Sequence, residues 1–110
     1  MAERALDIEP RHLAIVRDIL ARHAAGWVVW VFGSRARGGA KAYSDLDLAI
    51  DAGRPLTLAE GAALADAFEE PDLPWRVDVV DWASIDDAFR RLIEGGRVEL
   101  LPGNEGATVS

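Results

Sequence analysis

Cysteine is missing from all 110 residues, which excludes disulfides and zinc–thiolate centres. Histidine is scarce: the two present, His12 and His23, have no companion ligands and read as surface positions of a first helix. Basic residues are outnumbered, 12 against 19 acidic ones, for a net charge of -7. A chain so poor in Lys and Arg is unsuited to tight binding of a nucleic-acid backbone, which needs clustered cations. The same imbalance suits a basic partner or a site filled by metal ions. No apolar run approaches the ~20 residues of a membrane-spanning helix. The first residues, Met1 to Asp7, lack a signal-peptide pattern, so no membrane contact and a cytoplasmic location are expected. There is no internal repeat, and the length suits one small domain over 1–101. Residues 102–110 have little to bury and are expected to be a disordered tail.

Half of the residues are apolar, and their periodicity separates helices from strands. Glu9-Pro10 opens a helix whose apolar stripe is Leu13, Val16, Leu20 and Ala24, ended by Gly26. Trp27 to Phe32 is a continuous apolar run that reads as a strand buried on both faces. Asp45 to Asp51 alternates: Leu46, Leu48 and Ile50 fall on one face, Asp45, Asp47, Ala49 and Asp51 on the other. Thr57 to Glu60 forms a capping box that opens a helix to about Glu69. Trp75 to Val80 is a third strand, with Arg76, Asp78 and Val80 sharing one side. Ser84 is expected to cap a last helix ending at Gly95-Gly96, and Arg97 to Leu101 to add an edge strand. The fold class is therefore α/β (α+β), a small mixed sheet with helices on one face and acidic positions on the other.

The chemistry concentrates where these elements meet. Gly33-Ser34 ends the first strand, ten residues follow, and Asp45-Leu46-Asp47 opens the second. Side chains two apart on a strand point the same way, roughly 6–7 Å from one another. Two carboxylates so placed repel unless a cation lies between them, and magnesium accepts one or two carboxylates together with substrate phosphates. Asp78, mid-strand between valines, is the best third ligand and a candidate base. Asp81 competes with it but reads as a cap at the strand end, and Asp51 as a turn residue. Gly33 permits close backbone approach, and the Ser34 hydroxyl can bond a phosphate. Ser34 to Arg37 can form one short helical turn. Arg35 is the preferred triphosphate contact and Arg37 the lesser one, while Lys41 and Tyr43 decorate the loop. Two metal ions about 4 Å apart can stabilise both oxygens of an in-line phosphoryl displacement.

Phe32-Gly-Ser-Arg-Ala-Arg-Gly38, then Ser44-Asp-Leu-Asp-Leu48, then Val77-Asp-Val-Val80 resembles the minimal nucleotidyltransferases of the DNA polymerase β-like superfamily. The similarity runs from about Trp30 to Leu101, and the closing Gly95-Gly96-Arg-Val-Glu-Leu-Leu101 shares it. The resemblance implies the palm-like nucleotidyltransferase fold and transfer of a nucleotidyl group from a nucleoside triphosphate with two Mg2+ ions. It implies Asp45 and Asp47 as shared metal ligands, Asp78 as third ligand and base, and Gly33 and Ser34 as the triphosphate seat. Short stand-alone members are often antitoxins encoded beside a helical HEPN ribonuclease toxin, and some transfer AMP from ATP to a toxin tyrosine. Two alternatives accompany this expectation: an antitoxin that occludes its toxin by binding, as part of an oligomer with it, and a small-molecule nucleotidyltransferase. The latter usually carries an added helical domain, for which this chain has no room.

Overall fold

Local punctuation sets the element boundaries in the computed structural model, which describes residues 6–102 and side chains as far as Leu100. Pro10 occupies the first turn of α1 (Pro10–His23), where a missing amide hydrogen removes no helical bond. β1 (Val28–Phe32) ends at Gly33, and one helical turn follows as α2 (Ser34–Arg37). β2 (Leu46–Asp51) leads to α3 (Leu58–Glu69), which returns the chain to β3 (Val77–Asp81). A 3₁₀ turn at Trp82–Ser84 precedes α4 (Asp87–Glu94) and β4 (Val98–Pro102). β4 thus takes in Pro102, where the tail was expected to begin; the rest of that segment, 103–110, lies outside the described residues.

The sheet order is β3-β2-β1-β4. β1 runs antiparallel to β2 and β4, while β2 and β3 are parallel, as a helical crossover between them permits. One face carries Val29, Val31, Leu46, Leu48 and Ile50, all fully buried against Val16, Ile19 and Leu20 of α1 and Leu64 and Phe68 of α3. The alternating residues of β1 face the other way, and that face is covered only in part. Phe89 of α4 meets Phe32 edge-on at 6.0 Å, and Trp82 lies 4.9 Å from Trp30. β1 is therefore sealed on one face and half-covered on the other, not buried equally on both. The uncovered half of that second face holds the acidic side chains. Among the described residues no helix is long and apolar enough to cross a membrane.

β1 and β4 each begin one residue later than expected, at Val28 and Val98, and three further differences bear on the site. β2 begins at Leu46, whose amide donates to the Arg76 carbonyl at 2.9 Å, so Asp45 stands just ahead of the ladder. β3 begins at Val77 because Trp75 turns into the core at 8% exposure. Asp86, not Ser84, caps α4: its carboxylate accepts from the Phe89 amide at 2.9 Å. The Ser84 hydroxyl instead donates to Asp81 at 2.8 Å. Asp81 also accepts from the amides of Leu56 and Ala83, which is the capping role foreseen for it.

Candidate active site

The register places Asp47 at the centre of the exposed half-face. On one side it is paired with Phe32 of β1, on the other with Asp78 of β3. Parallel pairing of two aligned strands makes both carboxylates emerge on the same face, away from the α1/α3 core. Asp47 is half-buried, whereas Asp45 and Asp78 are exposed. Burial pushes the Asp47 carboxyl above its usual range, and the negative charges of Asp78 and then Asp45 push it further in the same direction. Asp47 therefore feels the charge of both neighbouring carboxylates. None of them joins an ion pair among the described residues.

As they stand, no three His, Cys, Asp or Glu side chains among the described residues are gathered closely enough to grip a metal ion. Like charges without a counter-ion hold each other off. The donor set itself fits Mg2+: it is all carboxylate oxygen, unpaired, open to solvent on one side, and raised in energy by mutual repulsion that a hard cation relieves.

Gly33 supplies the edge of this site. Its φ of 79° and ψ of -156° fall in a region that is essentially restricted to glycine. A Cβ there would lie 2.5 Å from Asp47 Oδ2, so the missing side chain is what lets the carboxylate sit against the turn. Ser34 opens α2 immediately afterwards and is half-buried. The turn is closed by the amides of Ala36 and Arg37 donating to the Gly33 carbonyl, each at 3.1 Å, and by Gly38 N–H donating to Ser34 at 2.8 Å. The structure thus brings Gly33, Asp47 and Asp78 together through strand pairing, with Ser34 and Asp45 as their chain neighbours.

Of the two loop arginines, the one expected to contact the triphosphate is not the one that points outward. Arg35 is turned inward at 5% exposure. Its guanidinium donates to the carbonyls of Ser44 (2.8 and 3.0 Å), Asp7 (2.8 Å), Ala42 (3.2 Å) and Lys41 (3.3 Å). It also lies 4.8 Å from the Trp75 ring centroid. Its donors are thus occupied by the chain itself. Arg37, three residues after Ser34 and so on the same side of the turn, is exposed. No ion pair among the described residues uses it. Its stem crosses Gly96, where a Cβ would come within 3.2 Å of its Cγ and Cδ.

The remaining candidates divide cleanly. Lys41 and Tyr43 are exposed on the loop, and Asp51 accepts from the Gly53 amide at 2.8 Å as a turn residue. His23 is exposed. His12 is not a surface residue: its side chain is 15% exposed and meets Trp75 edge-on at 5.8 Å.

Comparison with known proteins identifies the family and the fold. The family model described as "Polymerase beta, Nucleotidyltransferase" matches residues 16–103. A Haemophilus influenzae relative named "Probable protein adenylyltransferase MntA" is 51% identical over 88 residues, 80% of this chain and 77% of the relative. A solved minimal nucleotidyltransferase is 38% identical with a TM-score of 0.59, covering 82% of this chain and 89% of that one. A toxin–antitoxin crystal structure with AMP-PNP superposes with a TM-score of 0.70 at 21% identity, over 86% of this chain and 76% of its counterpart, a likeness of fold. With that fold, that match along most of its length and a glycine turn set against paired strand carboxylates, the chain belongs to the polymerase β nucleotidyltransferase family.

Proposed function

We propose that this nucleotidyltransferase is an antitoxin that transfers AMP from ATP to a tyrosine hydroxyl of a partner HEPN-type ribonuclease toxin in the cytoplasm. The observation that carries the reading is Asp47, half-buried, held between the Gly33 turn and Asp78 and raised in pKa by both burial and its acidic neighbours. Such a group is costly to keep and is relieved by bound cation. The adenylyltransferase name of the Haemophilus relative and the toxin–antitoxin complex with AMP-PNP support the partner and the nucleotide.

In this reading Asp45, Asp47 and Asp78 hold two Mg2+ ions, which when bound neutralise the triphosphate and the charge that develops on it. Gly33 and Ser34 seat the phosphates, and Arg37 adds a cation beside them. The tyrosine oxygen attacks the α-phosphorus, the bond to the bridging oxygen breaks, and pyrophosphate leaves. Asp78, exposed on the edge strand, accepts the tyrosine proton. The open edge of β3 leaves room for a protein acceptor, and the acidic surface suits a basic one.

The test is to incubate the chain with ATP, Mg2+ and the protein encoded beside it, then weigh that protein by mass spectrometry. One AMP mass or more should appear on a tyrosine and vanish with the Asp45→Ala/Asp47→Ala pair. Transfer that survives the pair would end the metal reading. Loss of transfer with full neutralisation of the toxin would favour occlusion over catalysis.

A further inference from the structure

Arg35 is a buried cation with no carboxylate in ion-pair contact among the described residues. Burying a guanidinium is costly unless every donor is met. Here the compensation comes from four backbone carbonyls and the face of Trp75. What these partners have in common is their place in the chain. Ser44, which takes two of the bonds, directly precedes Asp45. Trp75 leads into β3 and stands three residues before Asp78. Arg35 itself follows Ser34. Lys41, Ala42 and Ser44 all lie in the loop that joins the glycine turn to the acidic pair. A second set of bonds closes the same loop: Lys41 N–H donates to the Ser44 hydroxyl at 2.9 Å, and Ala40 N–H donates to the Asp7 carboxylate at 3.0 Å.

We infer that Arg35 is a positioning residue: seated over Trp75, it holds the Ser44 carbonyl and so sets where Asp45 stands relative to Asp47 and Asp78, and thereby the affinity of the acidic site for a divalent cation. Asp45 lies just ahead of the β2 ladder, and strand pairing holds only its C-terminal peptide, through the Leu46 amide on the Arg76 carbonyl. The guanidinium fork on the Ser44 carbonyl holds the peptide on its other side. A lysine cannot replace it, because one ammonium cannot reach carbonyls on both sides of a planar fork. The inference rests on the metal-site reading above.

The test measures Mn2+ binding by electron paramagnetic resonance on the purified chain without nucleotide, alongside thermal unfolding. Arg35→Lys and Trp75→Phe are compared with Leu64→Ala, a core truncation on α3, outside that loop. Arg35→Lys should weaken Mn2+ binding by roughly tenfold or more, the loss typical when the groups that orient metal ligands are removed. Trp75→Phe, which keeps an aromatic face beneath the guanidinium, should weaken it less and serves as the folded variant if Arg35→Lys does not fold. Leu64→Ala should lower the melting temperature and leave Mn2+ affinity unchanged. If Arg35→Lys and Trp75→Phe are destabilised yet bind Mn2+ as the wild type does, Arg35 is purely structural and the inference is overturned. A wild-type chain that binds no Mn2+ would overturn the metal-site reading and the inference together.

Discussion

At the scale of single residues, Asp47 carries the tension between stability and chemistry. Its carboxyl titrates above the ordinary value of 3.8 because burial, Asp78 and Asp45 all disfavour its charge. The folded state therefore holds this proton more tightly than the unfolded state. The group's contribution to stability falls as pH rises from 3.8 through the raised value, and stays unfavourable at neutral pH. Asp47→Asn should accordingly raise the melting temperature of the metal-free chain at pH 7, with the advantage disappearing in acid. Added Mg2+ should raise the melting temperature of the wild type and leave the variant unmoved. An Asn variant that melts below the metal-free wild type at pH 7 would show that the carboxylate is not strained. Gly33→Ala acts on the same contact from the other side. A side chain there must occupy Asp47's oxygen position and a glycine-only conformation at a cost of about 1–3 kcal/mol. Thermal unfolding should show that loss, and AMP transfer should fall by more than the lost stability explains.

At the scale of elements, α3 shows how much a short motif decides. The Thr57 hydroxyl accepts from Glu60 N–H at 3.0 Å, and Glu60 accepts from Thr57 N–H at 2.9 Å. The Arg54 fork donates to both Glu60 oxygens at 2.8 Å. These bonds, the Arg54 one foremost, lower the Glu60 carboxyl from 4.5 to about 2. Stability from this charge is present above pH 4.5 and lost as pH falls toward 2. Glu60→Gln should be less stable than wild type near neutrality and equal to it near pH 2 in urea titrations. Thr57→Ala, which removes the cap, should cost about 1 kcal/mol. A gap for Glu60→Gln that does not change with pH would contradict the ion-pair origin. This cap was readable because Thr57 and Glu60 bond to each other within four consecutive residues. So was the alternation in Leu46–Asp51, where each residue's face follows from its parity. The Arg35/Arg37 choice was not readable in the same way. What decides it is Trp75, forty positions on, which supplies the platform for one arginine, and Gly96, which leaves room for the other. The cap of α4 was misplaced for a related reason: Asp81, itself held by Leu56, captures Ser84 first.

At the scale of the whole molecule, the sheet divides labour between its faces. α1 and α3 seal one face with aliphatic side chains. The other is half-covered by Trp82 and Phe89 and leaves the β2/β3 end open. The strand order that produces this was not legible from periodicity, which says which way a residue faces but not which strand lies beside it. The resemblance in the glycine–serine and acidic motifs implied only that Asp78 stands with Asp45 and Asp47, and the register pairs Asp47 with Asp78. The net charge of -7 belongs to this scale too, since it suits a cationic guest more than a nucleic-acid backbone. The measurement that addresses the account most directly is a crystal structure of the chain with AMP-PNP and Mn2+, recorded at the manganese absorption edge. Anomalous peaks should lie among Asp45, Asp47 and Asp78, with the phosphates against Gly33 and Ser34. Nucleotide bound with no manganese at these three carboxylates would contradict it.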